Sequence, residues 1–188
     1  MKNEQRGFTI VEVMVAVAIS TMIIFGIFGI FQAGSEQTQF SQTKMTLEDS
    51  AREALYKMTQ EIRQSAPSRI TVGGSGDSLQ IQVPDPSSLV QGDYTVDWDS
   101  AHTIQYALGG TGNSQLLRTD TATNLTSVIA NDVTDIQFVG NGSQPDIVTI
   151  TIDVQRELQS GRMGSDGNFR KVPESPLQMT AQAEVRNL

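Results

Sequence analysis

Arg6-Gly7-Phe8-Thr9, with Glu12 one turn further on, is where residue types and spacing in this chain point to chemistry. From Phe8 to Phe31 the only charged side chain is Glu12. As a helix rising about 1.5 Å per residue, such a run spans roughly 36 Å, enough for a hydrocarbon core of about 30 Å. A carboxylate inside it is costly, about +2.5 to +3.5 kcal/mol for a central Asp on the translocon scale and less near an end. A cation must offset that cost. The nearest candidate is absent from the translated chain: the α-amine that a cut between Gly7 and Phe8 would release. With a reference pKa of about 7.7–8.0, such an amine is largely cationic at neutral pH. The chemistry expected here is done to the chain, not by it.

Elsewhere reactive groups are scarce. His102 is the only histidine and there is no Cys, which excludes Cys–His catalysis, Cys/His zinc sites, disulfides and a lipoprotein anchor. No Gly-x-Ser-x-Gly nucleophile turn is present. No enzymatic activity is expected. Asp93, Asp97 and Asp99, and Asp166 in a Gly-rich stretch, are oxygen ligands of the kind calcium takes, but they match no calcium-loop spacing. They read better as solvated carboxylates, and no cofactor is expected. A formal charge of −8 gives no electrostatic footprint for nucleic acid.

Three other readings of the N-terminal run compete. Ala16-Val17-Ala18 after Lys2 and Arg6 resembles a secretory signal cleavage site, yet the apolar stretch continues well past Ala18. A plain signal anchor would need Glu12 to snorkel to the headgroups. A buried soluble helix would rarely be apolar all round over this length. In a membrane, Lys2 and Arg6 precede the span and the first basic residue after it is Lys44. By the positive-inside rule the short N-terminus is cytoplasmic and the large domain exported.

The elements that position this segment follow from periodicity. Residues 32 to 64 contain no Pro, and Phe40, Leu47, Ala51, Leu55, Met58 and Ile62 trace one helical stripe. The helix should stop near Ser65-Ala66-Pro67, since Pro disfavours helical geometry in the residue before it. Gly26, Gly29 and Gly34 either soften the helix or permit close helix packing. Beyond it, strands are predicted at Arg69-Val72, Ser78-Val83, Tyr94-Asp97, His102-Leu108, Gln115-Asp120, Leu125-Ile129, Val133-Val139, Asp146-Arg156 and Gln178-Arg186. Residues 84 to 93 and 159 to 176 read as loops, and Trp98 and Phe40 as core residues. The fold class is α+β: a long N-terminal helix on an antiparallel sheet or two-sheet domain. The organisation is a leader at 1–7, an apolar helix half at 8–31, an amphipathic half at 32–66 and a β-rich head at 67–188.

Arg6-Gly7-Phe8-Thr9-Ile10-Val11-Glu12-Val13-Met14-Val15-Ala16 resembles the processing site of type IV prepilins and type II secretion pseudopilins. The resemblance implies that prepilin peptidase cuts after Gly7 and methylates the amine of Phe8. It makes Glu12 the buried carboxylate that pairs with the terminal amine of a neighbouring subunit and sets assembly register. More weakly, Leu55-x-x-Met58-x-x-Glu61-Ile62-Arg63-Gln64, Ile104-Gln105-Tyr106-Ala107-Leu108, Leu116-Leu117-Arg118, Val133-Thr134-Asp135-Ile136-Gln137-Phe138 and Val148-Thr149-Ile150-Thr151-Ile152 resemble minor pilins of the PilW type and J-type minor pseudopilins. Many major type IVa pilins carry a disulfide-closed C-terminal loop, which a chain without Cys cannot form.

These readings lead to a minor type IV pilin at the priming or tip complex of a pilus, with a minor type II secretion pseudopilin as the alternative. A membrane-anchored exported binding domain that does not polymerise is the reading from another class. The partners implied are prepilin peptidase, a major pilin and other minor pilins or pseudopilins, the inner-membrane assembly platform, and membrane lipid before assembly. The location implied is the bacterial inner membrane, then a pilus or periplasmic pseudopilus.

Overall fold

The computed structural model describes residues 8–85, 96, 98–158 and 170–185. The chain divides into two compact units, Met1–Gln42 and Thr43–Leu188. One helix, α1 (Ile10–Arg63), supplies the whole described part of the first unit beyond Thr9 and continues into the second. It ends a few residues before Pro67, where a short 3-10 turn (Pro67–Arg69) takes over. The prolyl ring cannot extend the helix and biases Ala66 to the extended geometry seen there, φ −113° and ψ 153°.

In the first unit every described residue up to Gln39 is exposed, and Phe40 is half-buried. The helix runs unbroken through Gly26, Gly29 and Gly34, and a Cβ added at any of the three would meet nothing within 4 Å.

The second unit is built on the amphipathic end of α1. Leu47, Ala51, Ala54, Leu55, Met58 and Ile62 are buried. They pack in one cluster with side chains from two antiparallel sheets. Among the described residues, the first sheet has five strands in order β1 (Ile70–Val72), β2 (Ser78–Val83), β3 (His102–Gly109), β4 (Gln115–Asp120) and β5 (Leu125–Asn131). The second has three: β6 (Val133–Gly140), β7 (Ile147–Leu158) and β8 (Arg170–Glu184). Both are simple meanders, so each strand pairs with its neighbour in sequence.

Alternation of two explains which side chains face inward. Leu79 and Ile81, Ile104 and Tyr106, and Val148, Ile150, Ile152 and Val154 are buried, while the residues between them are exposed or half-buried. In β6 the spacing slips from Val133 to Ile136, and the register shift between Val133 and Asp135 restores the phase. A backbone bond from the Val185 N–H to the Asp146 carbonyl (2.8 Å) ties the chain end to β7.

Two sequence expectations change. Residues 170 to 176, read as loop, are strand: β8 begins at Arg170, and Arg170 to Val172 pair with Leu158 to Arg156 before the register shifts. The two prolines, Pro173 and Pro176, disguise this segment in sequence. They sit where the ladder is interrupted, between Val172 and Leu177, so neither removes a paired N–H. Residues 130–131 and 157–158 also extend their strands beyond the expected ends. The Tyr94-Asp97 strand lies outside the described residues except for Val96, which forms an isolated bridge. Trp98 is half-buried, with the Arg69 guanidinium 5.5 Å from its ring centroid.

Candidate functional site

Thr9 begins α1. Its carbonyl accepts the first helical bond, from the Val13 N–H at 3.2 Å, and its Oγ1 accepts the Glu12 N–H at 3.3 Å. Thr9 is therefore the N-cap and Glu12 the third helical residue, the Thr-x-x-Glu spacing of a capping box. The helix leaves its first N–H groups without internal partners and carries a partial positive charge at that end. A carboxylate in the first turn interacts favourably with it. Glu12 thus has one offset for its charge inside its own chain, besides any external cation.

From Ile10 to Gln39 the side chains are bare: Phe25, Phe28 and Phe31 are 72%, 62% and 74% exposed, and Phe8 is 80% exposed. An 18-residue window of α1 is apolar enough to cross a membrane, and none of that window is buried. The polar group at Thr21 is satisfied locally, its hydroxyl donating to the Val17 carbonyl at 2.7 Å.

Residues 2–28 match the profile of the prokaryotic N-terminal methylation motif. The chain carries a type IV pilin-class signal. Neither a curated protein nor a solved structure matches the chain. The pilin-class motif supports a type IV pilin- or pseudopilin-like protein with a structural, non-enzymatic role. It implies processing by prepilin peptidase and assembly with other pilins, and together with the apolar helix it fits a membrane-anchored pilin. Of the residues the sequence singled out in this pilin-class segment, Phe8 and Glu12 are described, on either side of the cap, and Gly7 lies outside the described residues.

The second half of α1 has a polar site of its own. Arg118 Nε on β4 donates to Glu61 Oε1 and Oε2 at 3.0 and 3.2 Å, and the Tyr106 hydroxyl on β3 donates to Glu61 Oε2. Tyr106 is fully buried. Burial, then the hydrogen bond and charge of Glu61, hold its phenol far above the usual tyrosine range. Burial pulls the Arg118 guanidinium down, but the charge and hydrogen bonds of Glu61 outweigh it and leave it raised. The trio fixes the end of α1 to two strands. Sequence reasoning quoted all three residues in separate motifs without joining them, because 45 and 57 residues separate the partners from Glu61.

His102, the only histidine, places Nδ1 3.0 Å from Asp120 Oδ2. That bond, with the Ala122 and Thr123 N–H groups on the same carboxylate, holds the Asp120 carboxyl below the usual carboxylate range. The carboxylate thereby shapes the β4–β5 hairpin, a structural use of the pair. Arg156 grips Asp132 Oδ2 through Nε and Nη2 at 2.9 and 2.6 Å, where Asp132 turns the chain into β6 at φ +59°. Among the described residues no group of three or more His, Cys, Asp or Glu side chains is placed to hold a metal ion. Asp99 sits in a turn, while Asp93, Asp97 and Asp166 lie outside the described residues. A cleft of about 420 Å³ between the Gly73–Gly76 turn and the ends of the β6–β7 hairpin has no charged side chain in its lining.

Proposed function

We propose that this chain is a minor type IV pilin, cut between Gly7 and Phe8, methylated on the Phe8 amine, and inserted at low copy into a pilus at its priming or tip complex. The observation that carries the reading is a coincidence of place. The methylation motif at residues 2–28 runs into the first half of α1, whose apolar surface is bare and whose single charge up to Phe31, Glu12, stands one turn inside the helix start. A bare apolar helix suits lipid before assembly and neighbouring helices after it. In a filament, Glu12 of one subunit would meet the Phe8 amine of another in low dielectric, where attraction is strong and a misplaced charge is costly. The pair then acts as a register device. The absence of Cys supports a minor over a major subunit. The head, with its sheets fixed to the helix end, supplies contacts outside the filament core.

The test is N-terminal peptide mass spectrometry of the protein from cells with and without prepilin peptidase. A terminus at N-methyl-Phe8 that requires the peptidase is expected. A Met1 terminus, or a cut after Ala18, would sink the reading. Co-isolation with sheared pili, or with a type II secretion pseudopilus, separates the minor pilin from the minor pseudopilin. An anchored domain that does not polymerise would appear in neither.

A further inference from the structure

A sheet ends in strands whose outer N–H and C=O groups can pair with another chain, and folded proteins blunt such edges with short strands, prolines, charges or covering segments. Among the described residues the two sheets have four outer strands: β1, β5, β6 and β8. β1 is only three residues long. β6 is met by the β1–β2 turn, with the Phe138 N–H donating to the Gly76 carbonyl at 2.7 Å. β8 carries Lys171, Pro173, Glu174 and Pro176. β5 is the exception: residues 121 to 131 hold neither a charge nor a proline, in a chain of net charge −8. Its bulge, opposite Leu116 and Leu117, comes after Val128, so the stretch from Leu125 to Val128 is regular. Residues 121 to 128 are exposed without interruption, Leu125 at 69% and Val128 at 46%. That stretch is therefore bare on both faces.

Register shows which backbone groups the edge offers. The Thr121 N–H donates to the Thr103 carbonyl at 2.9 Å, so in the antiparallel alternation Thr119 and Leu117 face β3, while Asp120 and Arg118 face β5. Their partners Leu125 and Ser127 turn toward β4, which leaves the N–H and C=O groups of Thr126 and Val128 on the open side. We infer that β5 pairs edge to edge with β5 of a second copy of this chain, antiparallel about a two-fold axis at Ser127. In that register Thr126 of each copy lies opposite Val128 of the other, and each outward N–H meets an outward carbonyl. Charge selects the copy as partner. Two acidic chains repel over most of their surface, and along β5 they meet with no charge opposite another. The joint is isologous and closes on itself, so it makes a pair and not a growing fibre. One strand a side is a small contact of the kind weak assemblies use, so it needs copies held close, as anchoring in one membrane holds them. The inference does not depend on the proposed cut at Gly7–Phe8 or on the kind of filament.

The experiment uses the full chain in phospholipid vesicles, with oxidised glutathione as the oxidant and disulfide-linked dimer as the readout. The chain has no Cys, so one introduced thiol reports without background. Ser127→Cys places two thiols at the axis in a non-hydrogen-bonded pair, with Cα atoms about 4.5 Å apart and within disulfide range. It should cross-link readily. Thr126→Cys offsets the two thiols along the strands and should cross-link about tenfold more slowly. Adding Thr126→Pro to Ser127→Cys removes an outward N–H, leaves the ladder with β4 whole, and should cut cross-linking about tenfold with the urea midpoint little changed. Adding Val128→Lys instead keeps every backbone group, sets a charge on the joint and should also cut cross-linking, which decides the matter if the proline variant unfolds. Absence of dimer from Ser127→Cys overturns the inference. So do equal rates for Ser127→Cys and Thr126→Cys, the mark of random encounter, and so does parental cross-linking in a folded Thr126→Pro or Val128→Lys variant.

Discussion

Glu12 and Glu61 stand on the same helix, yet their surroundings differ in kind. Glu61 is enclosed by its own fold, with Arg118 on one side and the Tyr106 hydroxyl on the other. Glu12 sits among exposed Ile, Val, Met and Phe side chains, and among the described residues no cation lies beside it; what it has is the helix start. The difference teaches how to read a charge in an apolar setting. A carboxylate completed within the chain is part of a fold, whereas one left to the helix dipole alone is, under the proposed function, a fitting for a neighbouring subunit. The same split runs through the whole of α1: residues 47 to 62 bury a stripe, and every residue up to Gln39 is exposed.

The comparison breaks most sharply by removing a partner. Arg118→Ala leaves Glu61 enclosed without its cation and should lower unfolding stability by about 3 kcal/mol, read from urea denaturation of the full chain in detergent. Glu12→Gln should leave that stability within about 0.5 kcal/mol and instead abolish incorporation into sheared filaments. If Glu12→Gln is incorporated like the wild type, the carboxylate has no register role. A smaller effect sharpens the account of the Glu61 site. Tyr106→Phe deletes one donor and leaves Arg118 in place, so it should cost about 1 kcal/mol in the same assay.

The smallest effect is a pH dependence. The Asp120 carboxyl is held below its ordinary range by His102 and two backbone N–H groups. Its contribution is therefore present above the unfolded value of about 3.9 and lost as pH falls through the folded one. Denaturation midpoints between pH 5 and 2 should fall less steeply for Asp120→Asn than for the wild type. Equal slopes would remove Asp120 from the acid response.

What the sequence made legible follows the range of each interaction. The apolar run, its lone Glu12, and the helix stop before Pro67 depend on neighbours within a turn or two, and they stand where periodicity places them. So do Leu79-Ile81 and Val148 to Val154, whose alternation is local. Thr9 was readable too, since Thr-x-x-Glu is a cap signature set by neighbours within one turn. The start of β8 was not readable, because Pro173 and Pro176 signal a loop and only the partner strand shows that the ladder resumes before them. The Glu61–Tyr106–Arg118 trio was not readable for a related reason. Each member looks like an ordinary polar residue until the meander brings β3 and β4 under the helix end.

Thr21 adds a consequence for movement between environments. By closing its hydroxyl on the Val17 carbonyl, one turn back, it presents no loose donor to whatever surrounds the helix. Under the proposed function, a helix closed at this residue would exchange lipid tails for the flanks of neighbouring helices without breaking a polar bond at that point. The two surroundings then act almost as equivalent solvents for it, and passage between them needs mechanical guidance more than chemical reward.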